Sequence, residues 1–284
     1  MIDFQPSRTA LATAYLRAAH QLLDAPPRVL EDPFALALLG EGAAERIRSE
    51  EARYRSPAAQ QLRAHVVLRA RFAEDRLAAA VRRGIVQYVI LGAGLDTFAL
   101  RQPAWAASLR IIEIDHPDTQ GYKRAMLSRA RIEVPANTSF AAIDFERESL
   151  LEGLGRHGIL PGQQTFFSWL GVAMYLTEAS IDGALQSMGA FAAGSGLVLS
   201  FLEARKQGGH ADASGVAALA ARVAAGGEPF VTYLSTERTE FKLRQAGFTR
   251  VEFLGPEQAR ALYFWPPSPD LPPPARTGLA HAIR

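Results

Sequence analysis

The chain contains no cysteine. Disulfides, thiolate zinc sites and a cysteine nucleophile are therefore excluded, and a cytoplasmic setting is compatible with that absence. No apolar run reaches the roughly 18 residues of a membrane-spanning helix, so no membrane association is expected. An excess of one charge is also missing: 31 basic side chains face 29 acidic ones, for a formal charge of +2. Like charges never gather into a block, and so no electrostatic footprint for nucleic acid exists. The opening residues Met1-Ile2-Asp3-Phe4-Gln5-Pro6 show neither a basic region nor an apolar one, and no signal peptide is expected. His, Asp and Glu do not cluster with metal-ligand spacing, so no metal is expected. A Gly-x-Ser-x-Gly elbow is lacking, since Gly194-Ser195-Gly196 falls short of it, and this disfavours a Ser-His-Asp hydrolase.

Apolar residues, by contrast, make up 48% of the 284 positions, enough for a sizeable core in one domain. The first 84 residues read as helical. Ser7 is placed to cap a helix running to about Leu23, where Pro26-Pro27 ends it. Asp32-Pro33 opens a short helix that stops at Gly40. Ser56-Pro57 opens a long one, with Pro57 at its first position and Gly84 just past its end. Its apolar stripe is Leu62, Val66, Ala70, Ala73, Leu77 and Val81, close to the 3.6-residue period.

The pattern then changes to short apolar runs at 87–91, 110–114, 139–143, 165–169 and 196–202, which read as buried strands. Helical stretches at about 118–130 and 178–192, the second capped by Thr177, lie between them. A loop at 206–210 and helices at about 213–225 and 236–246 follow. Residues 249–254 and 261–265 read as two final strands pairing antiparallel at one edge, and 266–274 as an extended proline-rich surface segment. Alternating strands and helices predict an α/β fold with a mostly parallel seven-stranded sheet and helices on both faces. With no repeat and no clear linker, residues 1–284 are expected to form one domain: a helical cap at 1–84, a Rossmann-like core at 85–265 and an extended C-terminal segment at 266–284.

Gly92 and Gly94 follow directly on the first strand. Glycine there permits a sharp turn and a close approach of backbone amides to a ligand. The second strand ends in Asp115, about 20 residues on, where a carboxylate can accept hydrogen bonds from both hydroxyls of a ribose. Nicotinamide and adenosylmethionine sites share this logic. Two features turn away from a dinucleotide: Thr97 replaces the third glycine of Gly-x-Gly-x-x-Gly, and Pro103 interrupts the segment whose helix N-terminus a pyrophosphate would need.

Val89-Ile90-Leu91-Gly92-Ala93-Gly94-Leu95-Asp96-Thr97 resembles the first motif of the leucine carboxyl methyltransferase-like family, which includes bacterial polyketide-pathway O-methyltransferases. Glu113-Ile114-Asp115-His116-Pro117 with Lys123-Arg124 is similar to its second motif, Ile143-Asp144-Phe145 to its third, and Ser168-Trp169-Leu170-Gly171-Val172-Ala173-Met174-Tyr175-Leu176-Thr177 to its fourth. Ser7-Arg8-Thr9-Ala10 and Asp32-Pro33-Phe34-Ala35 also fit, so the resemblance covers roughly residues 5–265. It implies a class I methyltransferase fold and S-adenosylmethionine as cofactor. Gly92, Ala93 and Gly94 would line the methionine part, Asp115 would hold the ribose, and Asp144 and Phe145 would flank the adenine. An arginine on the last cap helix would bind the cofactor carboxylate; Arg69, on the buried stripe, is its expected counterpart, while Arg71 points to the opposite face. A family basic residue near the N-terminus aligns loosely with Arg17. Leu170 is a departure, because many members carry glutamate there. It stays among the cofactor-lining positions, and the polar interaction that glutamate would make is either missing or made by another residue. That version resembles a bacterial subgroup for which small-molecule substrates are expected.

Methyl transfer is an in-line displacement in which orienting the nucleophile supplies much of the catalysis. A carboxylate acceptor needs no base, whereas a hydroxyl acceptor does. Candidate catalytic residues are therefore His65, one turn before Arg69, His116, and Tyr175 beyond the fourth strand. Each has an equally ordinary reading as a polar or packing residue at a cavity edge. Asp96 and Glu113 could serve the cofactor or cap local backbone. His157, His210 and His281 are expected to be solvated. The leading expectation is O-methylation of a carboxylate or hydroxyl of a small molecule. The alternatives are a nicotinamide-dependent oxidoreductase and a non-catalytic adenosylmethionine-binding protein.

Overall fold

A computed structural model describes residues 7–144, 148–203, 220, 221, 223–266 and 270–284. Strands β1 (Gln87–Leu91), β2 (Arg110–Asp115), β3 (Thr138–Ala142), β4 (Thr165–Trp169) and β5 (Gly196–Ser200) run parallel. Strands β6 (Arg250–Phe253) and β7 (Leu279–Ile283) complete one sheet in the order β3-β2-β1-β4-β5-β7-β6, with β7 antiparallel to both neighbours. Every residue of β1, β4 and β5 is buried. Both faces of these strands are covered, which is why they read as continuous apolar runs. Tyr88 and Ile90 enter one core and Val89 and Leu91 the other, following the two-residue period of a strand.

The cap comprises α1 (Arg8–Leu23), α2 (Phe34–Leu39), α3 (Ala43–Ser49), α4 (Glu51–Tyr54) and α5 (Pro57–Arg82). Ser7 caps α1 by accepting the Ala10 amide at 3.1 Å, and Ser56 caps α5 through Ala59 at 3.4 Å. Phe72, Ala73 and Leu77 of α5 pack on one face of the sheet. On the other lie α7 (Leu150–Arg156), α8 (Glu178–Gly189) and α9 (Thr236–Gln245), through Leu154, Leu185 and Leu243. A third core joins α1 and α2 to Leu95 of the glycine loop and to Met126 and Leu127 of α6 (Pro117–Arg129). The cap is thereby set on the carboxyl edge of the sheet. No helix among the described residues is long and apolar enough to cross a membrane.

Two expectations need correction. Residues 261–265 do not form a strand: they hold the end of α10 (Pro256–Tyr263) and the residues after it. Pro256 at the first helical position and Glu257 in the first turn are start signals that the aromatic run obscured. The last strand is β7, inside the segment expected to be merely extended. Its Leu-Ala-His-Ala-Ile sequence is poor in strand formers, and only the slot between β5 and β6 makes it a strand. One false strand and one overlooked strand cancel, so the expected count of seven stands. The loop at 206–210 with His210, most of the helix expected at 213–225, part of 266–274, and Phe145 lie outside the described residues.

His281, expected to be solvated, is a β7 residue only 5% exposed. Burial, and then Arg76, push its pKa down to about 4. Between an ordinary value near 6.5 and that lower one, the unfolded chain binds a proton that the folded chain refuses. Stability from this residue is thus present above about pH 6.5 and lost as pH falls toward 4. His281→Gln should flatten that dependence, reducing the difference in unfolding free energy between pH 7 and pH 5 by on the order of 1–2 kcal/mol in urea titrations. Parallel curves for the two proteins would refute the assignment.

Candidate active site

Strand register assembles the site. Leu91 pairs with Ile114 and with Trp169, and Asp115 pairs with Ala142. Gly92, Asp115, Asp144 and Leu170 therefore emerge along one carboxyl edge, where open α/β sheets bind ligands. Gly92 has φ +62°, and a Cβ on it would collide with the Val172 side chain. The Ala93 amide donates to the Ile114 carbonyl at 2.9 Å. Asp115 anchors the loop: one carboxylate oxygen accepts the Gly94 amide and the other the His116 amide at 2.7 Å. Burial pushes the Asp115 carboxyl up, against the pull of those two amides. The side chain is only half-buried, so its remaining lone pairs are within reach of ligand hydroxyls.

No helix follows the loop. Residues 92–103 are turns and irregular chain, and a 3₁₀ turn at Ala104–Ala106 comes next. Thr97 has its own use: its hydroxyl donates to Asp32 at 2.5 Å. The buried Asp32 also accepts the Phe34 amide at 3.2 Å and stands 3.5 Å from Arg17 and 3.8 Å from Arg101. This carboxylate joins the cap to the end of the glycine loop. In the sequence Asp32 reads as a helix start and as part of a family-like stretch, with nothing to say what it binds.

Arg69 projects from α5 over Gly171. A Cβ on Gly171 would stand 2.5–2.8 Å from the guanidinium and would displace it, and the φ of +76° also favours glycine. Among the described residues this guanidinium makes no hydrogen bond or ion pair. Burial, then the charge of Arg17, press its pKa down to about 10. His65, one turn earlier, is pushed down to about 3 by burial and by Arg69. Both side chains keep partial exposure, as residues lining a cleft do. Arg17 reaches the loop from α1 and donates to the Leu95 carbonyl. Arg71, as expected, faces outward and pairs with Asp75 at 3.0 Å.

Tyr175 ends the 3₁₀ turn Ala173–Tyr175 beyond β4, its ring 5.4 Å from Phe230. Burial raises its pKa. His116 is exposed and caps α6 by accepting the Asp118 amide at 3.3 Å. Asp96 caps local backbone, accepting the Phe98 amide at 2.7 Å. Glu113 is taken up by a buried ion pair with Lys123. Leu170 packs against the α5-side core, and Asp144 stands half-buried just past β3. The carboxyl edge of the sheet thus carries the glycine loop, Asp115 and Gly171, with the Arg69 guanidinium over the last of these, while His116 stands exposed at the start of α6. Gly171 and Asp32 fall inside motif-like stretches, but their roles could not be read there, because they depend on partners about 100 and 65 residues away in the chain.

An open, doubly covered sheet with its ligand edge shaped this way defines a class I methyltransferase fold. The chain belongs to the leucine carboxyl methyltransferase family, whose profile matches residues 10–189. It is 29% identical over 281 residues to an inferred S-adenosyl-L-methionine-dependent methyltransferase of Bacillus subtilis, YktD, covering 92% of each chain. To one of the same description from Parafrankia it is 32% identical over 177 residues, covering 62% of this chain and 56% of the relative. Among solved structures, a DUF574 family protein from Streptomyces avermitilis matches at TM-score 0.60 and 14% identity, over 100% of this chain and 98% of that one. An inferred methyltransferase from Thermobifida fusca matches at TM-score 0.57 and 19% identity, over 94% and 97%. At such identity these two speak for the fold alone.

Proposed function

We propose that this chain is an S-adenosylmethionine-dependent O-methyltransferase acting on a carboxylate or hydroxyl of a small molecule. The observation that carries the cofactor is the Arg69 guanidinium, unpaired among the described residues and held over Gly171 at the glycine loop. A partly desolvated cation of that kind is completed by a carboxylate, which the methionine end of adenosylmethionine has and a nicotinamide dinucleotide lacks there. Asp115, on the other side of the loop, suits the ribose, and Asp144 is in place to meet the adenine edge.

The bound cofactor would supply an electrophilic methyl on a sulfonium. The chain's own residues orient the two reactants: Arg69 and the glycine loop the cofactor, Tyr175 the acceptor. His65 stays neutral, and with so low a pKa it is a poor base near neutrality. That favours an acceptor already ionised, a carboxylate, over a hydroxyl. The setting proposed is the cytoplasm, with no nucleic acid or membrane partner, and the cysteine-free sequence is compatible with it.

Calorimetry with adenosylmethionine and with NAD tests the reading. Adenosylmethionine should bind and NAD should not; tight NAD binding alone would overturn it. Asp115→Ala should weaken adenosylmethionine by about 1.5–3 kcal/mol, the value of a hydrogen bond to a charged group. Production of adenosylhomocysteine with any carboxylic acid acceptor would exclude a purely binding role.

A further inference from the structure

We infer that Glu228 is a positioning residue: by holding the first turn of α1 down on the glycine loop, it sets how fast adenosylmethionine leaves the cleft. The inference rests on the cofactor assigned above.

The first turn of α1 lies directly on the loop. A Cβ on Gly94 would stand 3.2 Å from that of Ala10. Two turns on, Arg17 of the same helix reaches the Leu95 carbonyl. The start of the helix is held by one distant carboxylate. Glu228 accepts the Arg8 amide at 2.9 Å, the Thr9 amide at 3.1 Å, the Ser7 hydroxyl at 3.1 Å and the Thr9 hydroxyl at 2.5 Å. A carboxylate is the favoured partner here, because free amides and the positive end of the helix dipole both point at it.

The anchor is itself fixed next to the site. The Val231 and Thr232 amides donate to the Met174 carbonyl at 2.7 and 3.1 Å, and the Thr232 hydroxyl donates to the Leu176 carbonyl at 2.6 Å. These bonds flank Tyr175, whose ring packs on Phe230. Glu228 thus links the start of α1 to the segment after β4 that carries Tyr175, along one edge of the proposed cofactor cleft. Departure of the cofactor past this edge requires the four bonds to Glu228 to break. Glutamine in its place keeps the size but loses the charge and one acceptor.

The test is a chase experiment on the full chain. Methyl-labelled adenosylmethionine is pre-bound and displaced with excess adenosylhomocysteine, and urea unfolding is measured in parallel. Glu228→Gln should raise the dissociation rate about tenfold with little change in the unfolding midpoint. Thr9→Val should act in the same direction and add little to Glu228→Gln in the double variant, since both break one latch. If Glu228→Gln unfolds too readily to assay, Thr9→Val decides alone. Dissociation at the wild-type rate in every variant that binds would overturn the inference, leaving Glu228 a helix cap only. Failure of the wild-type chain to bind adenosylmethionine would instead overturn the cofactor reading.

Discussion

Replacing Asp24 with asparagine is expected to remove about 3–5 kcal/mol of unfolding free energy, the cost of breaking a buried ion pair from one side. Asp24 is 3% exposed, and its partner Arg63 is fully buried. The guanidinium grips both carboxylate oxygens, at 2.8 and 2.7 Å, and also donates to the Tyr54 carbonyl at 2.7 Å and the Asp270 carbonyl at 3.1 Å. His20 completes the group with Nδ1 2.7 Å from Asp24. The Leu30 amide donates to His20 Nε2 at 3.4 Å, which leaves Nδ1 as the ring nitrogen that donates a hydrogen bond to the carboxylate. Asparagine matches the shape of aspartate but leaves Arg63 charged, buried and unmatched.

The pH dependence follows from the same group. Burial alone would raise the Asp24 carboxyl, but His20 and Arg63 outweigh it and hold it below its ordinary value. Its contribution is therefore present above about pH 4 and lost as pH falls through the folded-state value. The gap between wild type and Asp24→Asn should be full at pH 7 and should narrow below pH 4. A loss under about 1 kcal/mol at neutral pH would show that the cluster is not a buried ion pair of this strength.

Arg69→Met is expected to weaken adenosylmethionine by about 1.5–3 kcal/mol, or about 10–150-fold, while stability holds or rises. The two effects separate because the guanidinium has no protein partner among the described residues. Folding desolvates it, the charge of Asp96 offsets that cost only in part, and a ligand carboxylate would offset more. Asp115→Ala differs on this point: it strips the acceptor from the Gly94 and His116 amides, so stability and affinity should fall together. Calorimetry paired with urea titration reads both. If Arg69→Met lost stability but kept affinity, the guanidinium would be structural and the carboxylate site would lie elsewhere.

The central strands were legible because both of their faces are buried, which forces unbroken apolar runs in the sequence. Helices α1 and α5 of the cap were legible through Ser7, Ser56 and Pro57, whose capping and first-turn roles are local, whereas the short α3 and α4 between Gly40 and Ser56 were not anticipated. The glycine loop and Asp115 could be read because the chain order of an α/β unit places them at a known distance. At the C-terminus local signals misled. An aromatic run that looked like a strand belongs with a helix, and a bland segment containing His281 became a strand because β5 and β6 left a slot for it.

The sequence by itself determined the α/β class, the glycine turn and the acidic strand end, since each depends on residues close together in the chain or on a fixed period. Tertiary structure alone decided what those residues meet. It set Arg69 over Gly171, gave the Thr97 hydroxyl to Asp32, took Glu113 for Lys123, and brought Glu228 to the start of α1. Three of these pairs span more than 60 residues, and the fourth, Glu113 with Lys123, crosses from a strand to a helix. Interactions of that kind leave no period and no spacing in the sequence, because they are made by the packing of separate elements.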